Sequence, residues 1–156
     1  MKIRRQDRLL DVESQYALLH EGKVGYLALV DEKQPYIVPL NYFLEENMIY
    51  FHCALEGRKL DIIARNPRFC FAVSEMDEVK TGPTACDFGT YYRSVLAYGH
   101  AHIIREEPTK TDILTKLTHK YCPPGMTFTP VTPERAAATL LVALEIEKLD
   151  GKSRQP

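Results

Sequence analysis

Three strand-like segments near the start of the chain are separated by turns that are too short for a parallel connection. Apolar and aromatic residues dominate segments 24–30, 35–44 and 48–54, and polar turns occupy 31–34 and 45–48. A crossover between parallel strands needs about a dozen residues or more, so strands joined by such turns run antiparallel. The sequence therefore predicts a mainly β fold and not a winding of alternating parallel strands and helices.

The remaining segments add three strands and a few helices. Strands are predicted over 68–74, 91–104 and 138–146, and helices over 11–22, 57–66, 109–121 and a short stretch from Pro133. Segment 76–91 has irregularly spaced Gly and Pro residues and is predicted to be a long loop of the kind that often covers a site. Six short strands with a few helices favour a barrel with appended helices.

Length and charge restrict the domain organisation and the partners. The chain has 156 residues, contains no Pro-rich or Ser-rich linker, and is predicted to be one domain over residues 1–156. Its formal net charge is −1, whereas a nucleic-acid-binding domain is expected to carry clustered positive charge. We therefore expect a small-molecule ligand and no nucleic acid.

The cysteines and the N-terminal segment favour the cytoplasm. Residues 1–8 are basic, but no apolar signal-peptide core follows them, and no run approaches the roughly 20 apolar residues that span a bilayer. The four cysteines lack CxxC spacing and are expected to be reduced thiols: Cys53, Cys70, Cys86 and Cys122. We predict no metal site. His100 and His102 share one strand face and are interpreted as a packing or surface pair, with haem or metal capture left open.

A glycine followed by two basic residues begins the second predicted helix. Gly57 allows close backbone approach, and a helix N-terminus presents unpaired N–H groups and the positive end of the helix dipole. Arg58 can hold phosphate oxygens through its planar guanidinium, and Lys59 adds a compact cation. This pattern predicts a phosphate site. The alternative is a solvated surface whose charge Glu56 neutralises.

Six ordered sequence blocks resemble one known family. They are KVGYLA at 23–28, PYIVPLNY at 35–42, YFHCALEGRKL at 50–60, NPRFCF at 66–71, YRSVLAYGHA at 92–101 and EIEKLDGK at 145–152. Together they resemble the pyridoxamine 5'-phosphate oxidase-like split-barrel flavoproteins, and most closely the branch of the 5-nitroimidazole antibiotic resistance proteins. The resemblance implies a six-stranded antiparallel split β-barrel, of the FMN-binding type, that forms a homodimer with a flavin at each of two subunit-interface sites.

The resemblance also implies roles for particular residues. Arg58 and Lys59 correspond to phosphate ligands, and Ser94 to an extra phosphate or ribityl contact. Four consecutive residues correspond to positions along the ribityl chain and the flavin ring: Pro39, Leu40, Asn41 and Tyr42. Each has an ordinary structural alternative, because proline is common on edge strands and a strand hydroxyl often bonds a neighbouring backbone group.

His52 is the candidate catalytic residue. It precedes the predicted phosphate turn at a strand position where related oxidases carry a polar residue facing the flavin, and it resembles the active-site histidine of the nitroimidazole-resistance branch. A histidine can donate a proton near neutral pH or hydrogen-bond a cofactor, although a lone histidine is often structural.

These residues predict a flavin-binding oxidoreductase. The hypothesis is that FMN, or FAD in its place, passes electrons from a nicotinamide nucleotide to an electron-poor small molecule such as a nitroimidazole-like compound. The hard redox chemistry belongs to a flavin ring, so no hydrolase motif is needed, and the chain contains no G-x-S-x-G. The alternative is a non-catalytic flavin or haem carrier.

Overall fold

The computed structural model describes residues 4–155 and contains seven strands and four α-helices in that range. The strands are β1 (Gly25–Asp31), β2 (Gln34–Leu40), β3 (Phe43–Glu45), β4 (Met48–Cys53), β5 (Arg68–Lys80), β6 (Gly89–Ile104) and β7 (Leu140–Arg154). The helices are α1 (Val12–Glu21), α2 (Arg58–Arg65), α3 (Thr109–Tyr121) and α4 (Pro133–Ala136). None of the helices in this range is long and apolar enough to cross a lipid bilayer.

The strands form one antiparallel sheet whose two edges are joined directly by the chain. The strand order is β2-β1-β5-β6-β7-β4-β3, so β2 and β3 lie at opposite edges. Only Asn41 and Tyr42 connect them, and a connection of that length reaches no more than about 11 Å. The sheet must therefore curl until its edges approach each other. This confirms the predicted mainly β, antiparallel split barrel with appended helices.

The strand count differs from the prediction, because the structure has seven strands and not six. The segment 35–44, predicted as one strand, is broken at Asn41–Tyr42, where β2 leaves β1 and β3 begins to pair with β4. At the break the Tyr42 ring is fully buried in the core, and the Tyr42 carbonyl oxygen accepts a hydrogen bond from the Tyr121 hydroxyl. The backbone N–H of Tyr42 donates to the same hydroxyl and not to a neighbouring strand, so bonds to a side chain replace the strand pairing there.

The predicted long loop at 76–91 is also shorter in the structure. β5 continues to Lys80 and β6 begins at Gly89, because the two strands resume pairing after an irregularity between Met76 and Val79. β7 likewise extends past 146 to Arg154 along β6. The long strands reflect cross-strand pairing, which local residue composition does not reveal.

The main core lies between the inner face of the sheet and helices α1 and α2. Leu18 and Leu19 of α1, Ile62 of α2 and Phe51 and Phe71 of the sheet are essentially inaccessible to solvent. On the other side of β4 and β7, α3 and α4 cover a smaller cluster, which consists of Ile113, Leu114, Ala136 and Leu141. The two clusters fix α2 and α3 on different parts of the barrel.

Tyr42 connects three elements at the break between β2 and β3. Its hydroxyl donates to the Leu19 carbonyl oxygen of α1 at 2.6 Å, and its ring meets Phe71 edge-on with centroids 5.0 Å apart. The Tyr121 hydroxyl of α3 accepts from the Tyr42 N–H at 2.8 Å and lies 2.8 Å from the Lys23 carbonyl oxygen. Burial raises the pKa of Tyr42, so its hydroxyl remains a donor.

Tyr42→Phe should destabilise the protein by about 1–3 kcal/mol, because it leaves the buried Leu19 carbonyl without its donor. The matched control is Tyr36→Phe, since within residues 4–155 the Tyr36 hydroxyl makes no hydrogen bond and should matter little. Urea unfolding measures both variants. Equal stability of Tyr42→Phe and the wild-type protein would contradict this role of the hydroxyl.

Gly57 begins α2 in a conformation that is almost restricted to glycine. Its φ is +136° and its ψ is 161°, and a Cβ added there would meet no atom within 4 Å. The requirement for glycine therefore comes from backbone strain and not from a steric contact. This conformation turns the chain from the end of β4 into the first turn of α2.

Gly57→Ala should cost about 1–3 kcal/mol of stability through backbone strain alone. Glu56→Ala is the matched control, because Glu56 is exposed and its replacement should change stability by less than about 0.5 kcal/mol. The measurement is the difference in unfolding free energy between the two variants. A Gly57→Ala protein as stable as the control would show that position 57 tolerates a Cβ.

Candidate functional site

The start of α2 presents backbone donors together with two basic side chains. The N–H groups of Leu60 and Asp61 both bond the Gly57 carbonyl oxygen, at 2.9 and 3.3 Å. The N–H groups of Arg58 and Lys59 precede these first helical bonds, and no side chain of residues 4–155 caps them. The helix start therefore offers two backbone donors, the positive end of the dipole and two cations to an anion.

Arg58 is held in place by contacts that leave its terminal nitrogens free. Its Nε donates to Asp31 Oδ2 at 3.1 Å, and its guanidinium carbon lies 5.2 Å from the centroid of the Tyr36 ring. Arg65, the last residue of α2, donates to the other Asp31 carboxylate oxygen at 2.6 Å. Among residues 4–155 the two terminal Arg58 nitrogens have no acceptor, so they can donate in parallel to an oxyanion.

Asp31 is the anion that positions this cluster. Partial burial by itself would raise the pKa of Asp31, but the hydrogen bonds from Arg58 and Arg65 outweigh that effect and lower it. The carboxylate is therefore ionised at neutral pH and ties α2 to the end of β1. Two cations share one carboxylate here. Glu56 and Asp61 balance the remaining positive charge in number, so the start of α2 attracts an anion through its free donors and the helix dipole and not through a net charge excess.

Lys59 is half-buried beside Cys53, the last residue of β4. Burial raises the pKa of the Cys53 thiol, and the positive charge of Lys59 opposes that rise only in part. The thiol therefore stays neutral and is a poor nucleophile. Lys59 has no salt-bridge partner within the described part of the chain, which leaves its ammonium group for a ligand.

The four residues predicted along the flavin occupy different environments. Pro39 lies on the outer face of β2, opposite Tyr26, and Leu40 faces the barrel core. Asn41 is exposed at the break between the strands. Tyr42 is a core residue whose ring packs on Phe71, so its side chain has no face open to a ligand. Within residues 39–42, a ligand could therefore contact the side chains of Pro39, Leu40 and Asn41 but not that of Tyr42.

Ser94 is distant from the start of α2 within one chain. Ala28, Cys70 and Tyr98 lie side by side on β1, β5 and β6, and from this level Asp31 and Ser94 lie in opposite directions along the strands. The separation is about seven residues, or roughly 23 Å at about 3.3 Å per residue. Ser94 can therefore share a phosphate with Arg58 only if the two residues come from different copies of the chain.

His52 is exposed near the end of β4, opposite Leu141 of β7. It points away from the main core, because the residues on either side of it, Phe51 and Cys53, are buried in that core. The described residues give its imidazole no hydrogen-bond partner. His52 is thus an accessible titratable group on the strand that leads to Gly57.

Strands β1, β2, β5 and β6 expose an apolar face on the side opposite the core, which we call the outer sheet face. Ile37 and Met76 are 64% and 65% exposed, and Val30 is 51% exposed. Tyr26, Leu96 and Pro39 belong to the same face. This surface was not predicted from the sequence, although the nearly continuous apolar runs of β1 and β2 are typical of strands that are covered on both faces. Apolar patches of this kind mark interaction surfaces.

A cavity of about 630 Å³ lies where the outer sheet face meets the end of α2. Val30, Ile37 and Tyr98 provide its apolar walls, and Arg68 and Glu147 its charged rim. At this edge His100 pairs through Nδ1 with Glu147, while Nε2 of His102 lies 3.2 Å from Glu145. The two histidines therefore form separate cross-strand pairs with carboxylates of β7.

Solved structures with this fold include flavin and haem proteins. The flavocytochrome Anf3 from Azotobacter vinelandii superposes with a TM-score of 0.86 at 23% identity, over 99% of this chain and 73% of that one. A FAD and heme binding protein from Mycobacterium smegmatis gives 0.83 at 23% identity, over 94% and 72%. A protein described as a candidate 5-nitroimidazole antibiotic resistance protein from Bacteroides thetaiotaomicron gives 0.81 at 18% identity, over 94% and 86%.

The sequence profile of one family covers nearly the whole chain. The profile described as pyridoxamine 5'-phosphate oxidase matches residues 11–153, which include every element from α1 to β7 except the last residue of β7. The match agrees with the split-barrel topology and with the six sequence blocks. The chain belongs to the pyridoxamine 5'-phosphate oxidase family.

Proposed function

We propose that this protein binds a flavin, FMN in the first instance, with the phosphate at the start of α2. The observation that carries the proposal is the set of unpaired donors there: two backbone N–H groups, the terminal nitrogens of Arg58 and the ammonium of Lys59. A phosphate dianion has enough acceptor oxygens for this set. Asp31 fixes Arg58 through its Nε and so presents the terminal nitrogens in one orientation.

The proposal includes a homodimer formed through the outer sheet face. A monomer would leave Val30, Ile37 and Met76 more than half exposed on one continuous face. A second copy covering this face would remove apolar surface from water, at about 25 cal/mol per Å². It would also bring Ser94 of the second copy toward the first chain. A contact between Ser94 and a phosphate bound at Arg58 needs this arrangement, because the two residues lie too far apart within one chain.

The proposed reaction is transfer of electrons from a nicotinamide nucleotide to an electron-poor small molecule, with nitroimidazole-like compounds as one class. When bound, a flavin supplies the redox chemistry. The residues of this chain would hold and orient it: Arg58 and Lys59 at the phosphate, and Leu40 and Asn41 nearer the ring. His52 is the proposed proton donor to the reduced acceptor. The cytoplasmic location stays a prediction from the sequence.

An absorption spectrum of the purified protein tests the proposal. Bound flavin gives a two-banded yellow spectrum, and titration of the colourless protein with FMN or FAD by fluorescence identifies the cofactor. Loss of the flavin absorption bands when NADH or NADPH is added without oxygen, and return of the bands when an electron-poor acceptor is added, would support an oxidoreductase. A protein that takes up neither flavin would contradict the proposal, and a flavin that no nicotinamide nucleotide reduces would favour a carrier.

Arg58→Ala and Lys59→Ala should each weaken FMN binding by about 1.5–3 kcal/mol, or roughly 10- to 160-fold, because each removes a charge-assisted bond to the phosphate. The measurement is the FMN dissociation constant by fluorescence titration. Arg65→Ala is the matched control, since it removes the same charge from the same helix at the end away from Gly57. The FMN dissociation constant of Arg65→Ala should differ from that of the wild-type protein by less than about threefold.

Riboflavin is the matched ligand, because it lacks the phosphate. Its affinity should be nearly the same for the wild-type protein, Arg58→Ala and Lys59→Ala. If FMN bound equally well to all the variants, the phosphate would have to lie elsewhere. If riboflavin and FMN weakened together, the substitutions would act on the fold and not on the phosphate.

His52→Phe should slow reduction of the acceptor by about 10²-fold or more without changing the FMN dissociation constant, because the imidazole is proposed to donate a proton and not to hold the cofactor. Steady-state kinetics and fluorescence titration give the two quantities. Loss of FMN affinity in His52→Phe would instead make His52 a cofactor ligand, and an unchanged rate would remove it from the reaction.

A second candidate function is a haem carrier. It is favoured by His100, whose Nδ1 pairs with Glu147 and whose other nitrogen is left for a metal, beside a cavity that contains Arg68. A carboxylate behind the imidazole is the usual support for a ligating histidine. Two of the structural neighbours are a flavocytochrome and a FAD and heme binding protein. A Soret band in the spectrum, in place of the flavin bands, would select this function.

A further inference from the structure

A second cavity, separate from the start of α2, lies between α1, β3 and α3. Its volume is about 460 Å³, within the usual range for a small-molecule pocket. Phe43 and Leu44 provide apolar walls, and the exposed imidazoles of His20 and His119 also line it. None of the residues predicted from the sequence to bind flavin lines this cavity.

Lys120 of α3 also lines this cavity, and its ammonium group, which lies over the Tyr42 ring, lacks a partner in the described chain. Its Nζ is inaccessible to solvent and has no hydrogen-bond acceptor among the described residues. The Nζ lies 4.0 Å from the centroid of the Tyr42 ring. The attraction between the cation and the ring face offsets only part of the free-energy cost of burying the ammonium group. Burial lowers the pKa of Lys120 to about 8, as expected for an amine that is desolvated without a counter-charge.

The carboxylate, the second lysine and the hydroxyls around Lys120 are already engaged. Lys116 Nζ bonds Glu45 at 2.6 Å and Asp112 at 2.8 Å, so the one carboxylate that lines the cavity already has a cation. The hydroxyls of Tyr42 and Tyr121 bond backbone groups. Lys120 is therefore the lysine at this cavity without an anionic partner in the described chain, so an anion that enters the cavity would meet an unpaired cation.

We propose that this cavity binds a small organic carboxylate with an apolar body: the Lys120 ammonium turns from the Tyr42 ring toward the cavity and pairs with the carboxylate, while the body packs on Phe43 and Leu44. One unpaired cation matches one negative charge. A phosphate dianion would place its second charge near Glu45 with no free cation to balance it. The apolar walls favour an aromatic or branched aliphatic body over a polar one.

Titration of the full-length protein with phenylacetate and with phenylacetamide tests the proposal, because the two probes differ in charge but hardly in shape. Binding followed by NMR should be about tenfold tighter for phenylacetate, on the scale of one charge-assisted bond. Lys120→Met should abolish this preference. Lys33→Met, which removes an exposed lysine from the β1–β2 turn, should retain it.

Two further measurements separate this site from others. Lys59→Ala should leave phenylacetate binding unchanged, so its loss there would place the carboxylate at the start of α2 and overturn the proposal. In the wild-type protein, phenylacetate should raise the pKa of the Lys120 amine, read from its side-chain NMR signal. This second readout holds even if Lys120→Met fails to fold. Equal binding of the two probes, no binding, or an unmoved Lys120 pKa would overturn the proposal, whatever the flavin experiments show.

Discussion

The arrangement of the barrel depends on the contacts of the buried residue Tyr42. This residue lies between the end of β2 and the start of β3, which occupy opposite edges of the sheet. Its hydroxyl and backbone then join α1, α3 and the strand break through hydrogen bonds that are shielded from water. Because β3 leads directly into β4, the same contact sets the position from which the chain enters Gly57 and α2.

The charged cluster at α2 uses this placement. Asp31 at the end of β1 binds arginines at both ends of the helix, so a strand and a helix distant in sequence are fixed to each other. Glu56 and Asp61 offset in number the positive charge that Asp31 leaves. The structure thus combines a fixed helix start with free backbone and side-chain donors, and both are properties of a site for an anionic group.

The sequence predicted the helices and the antiparallel strands well, because their periodicity and short turns are local properties. Gly57 and Arg58 were recognised as the start of a helix for the same reason. The break at Tyr42 could not be predicted, since it depends on Phe71, Leu19 and Tyr121, which are distant in sequence. The extension of β5 and β6 across 76–91 likewise depends on the pairing of the two strands.

The candidate site residues also differ in whether a local sequence signal identifies them. Arg58 and Lys59 could be selected from a motif, but their partner Asp31 lies 27 residues before Arg58 and carries no signal of its own. Lys120 was not selected, because an isolated lysine on a helix is ordinarily exposed. Its burial becomes visible only when Tyr42 is placed beneath it.

A crystal structure of the protein with FMN would show whether the start of α2 holds the phosphate. We expect the phosphate within hydrogen-bonding distance of the terminal nitrogens of Arg58 and of the Lys59 ammonium, with a second copy of the chain covering the outer sheet face. A phosphate bound instead at the polar surface near Arg5, Arg8 and Arg154, with Arg58 and Lys59 in contact with solvent alone, would contradict it.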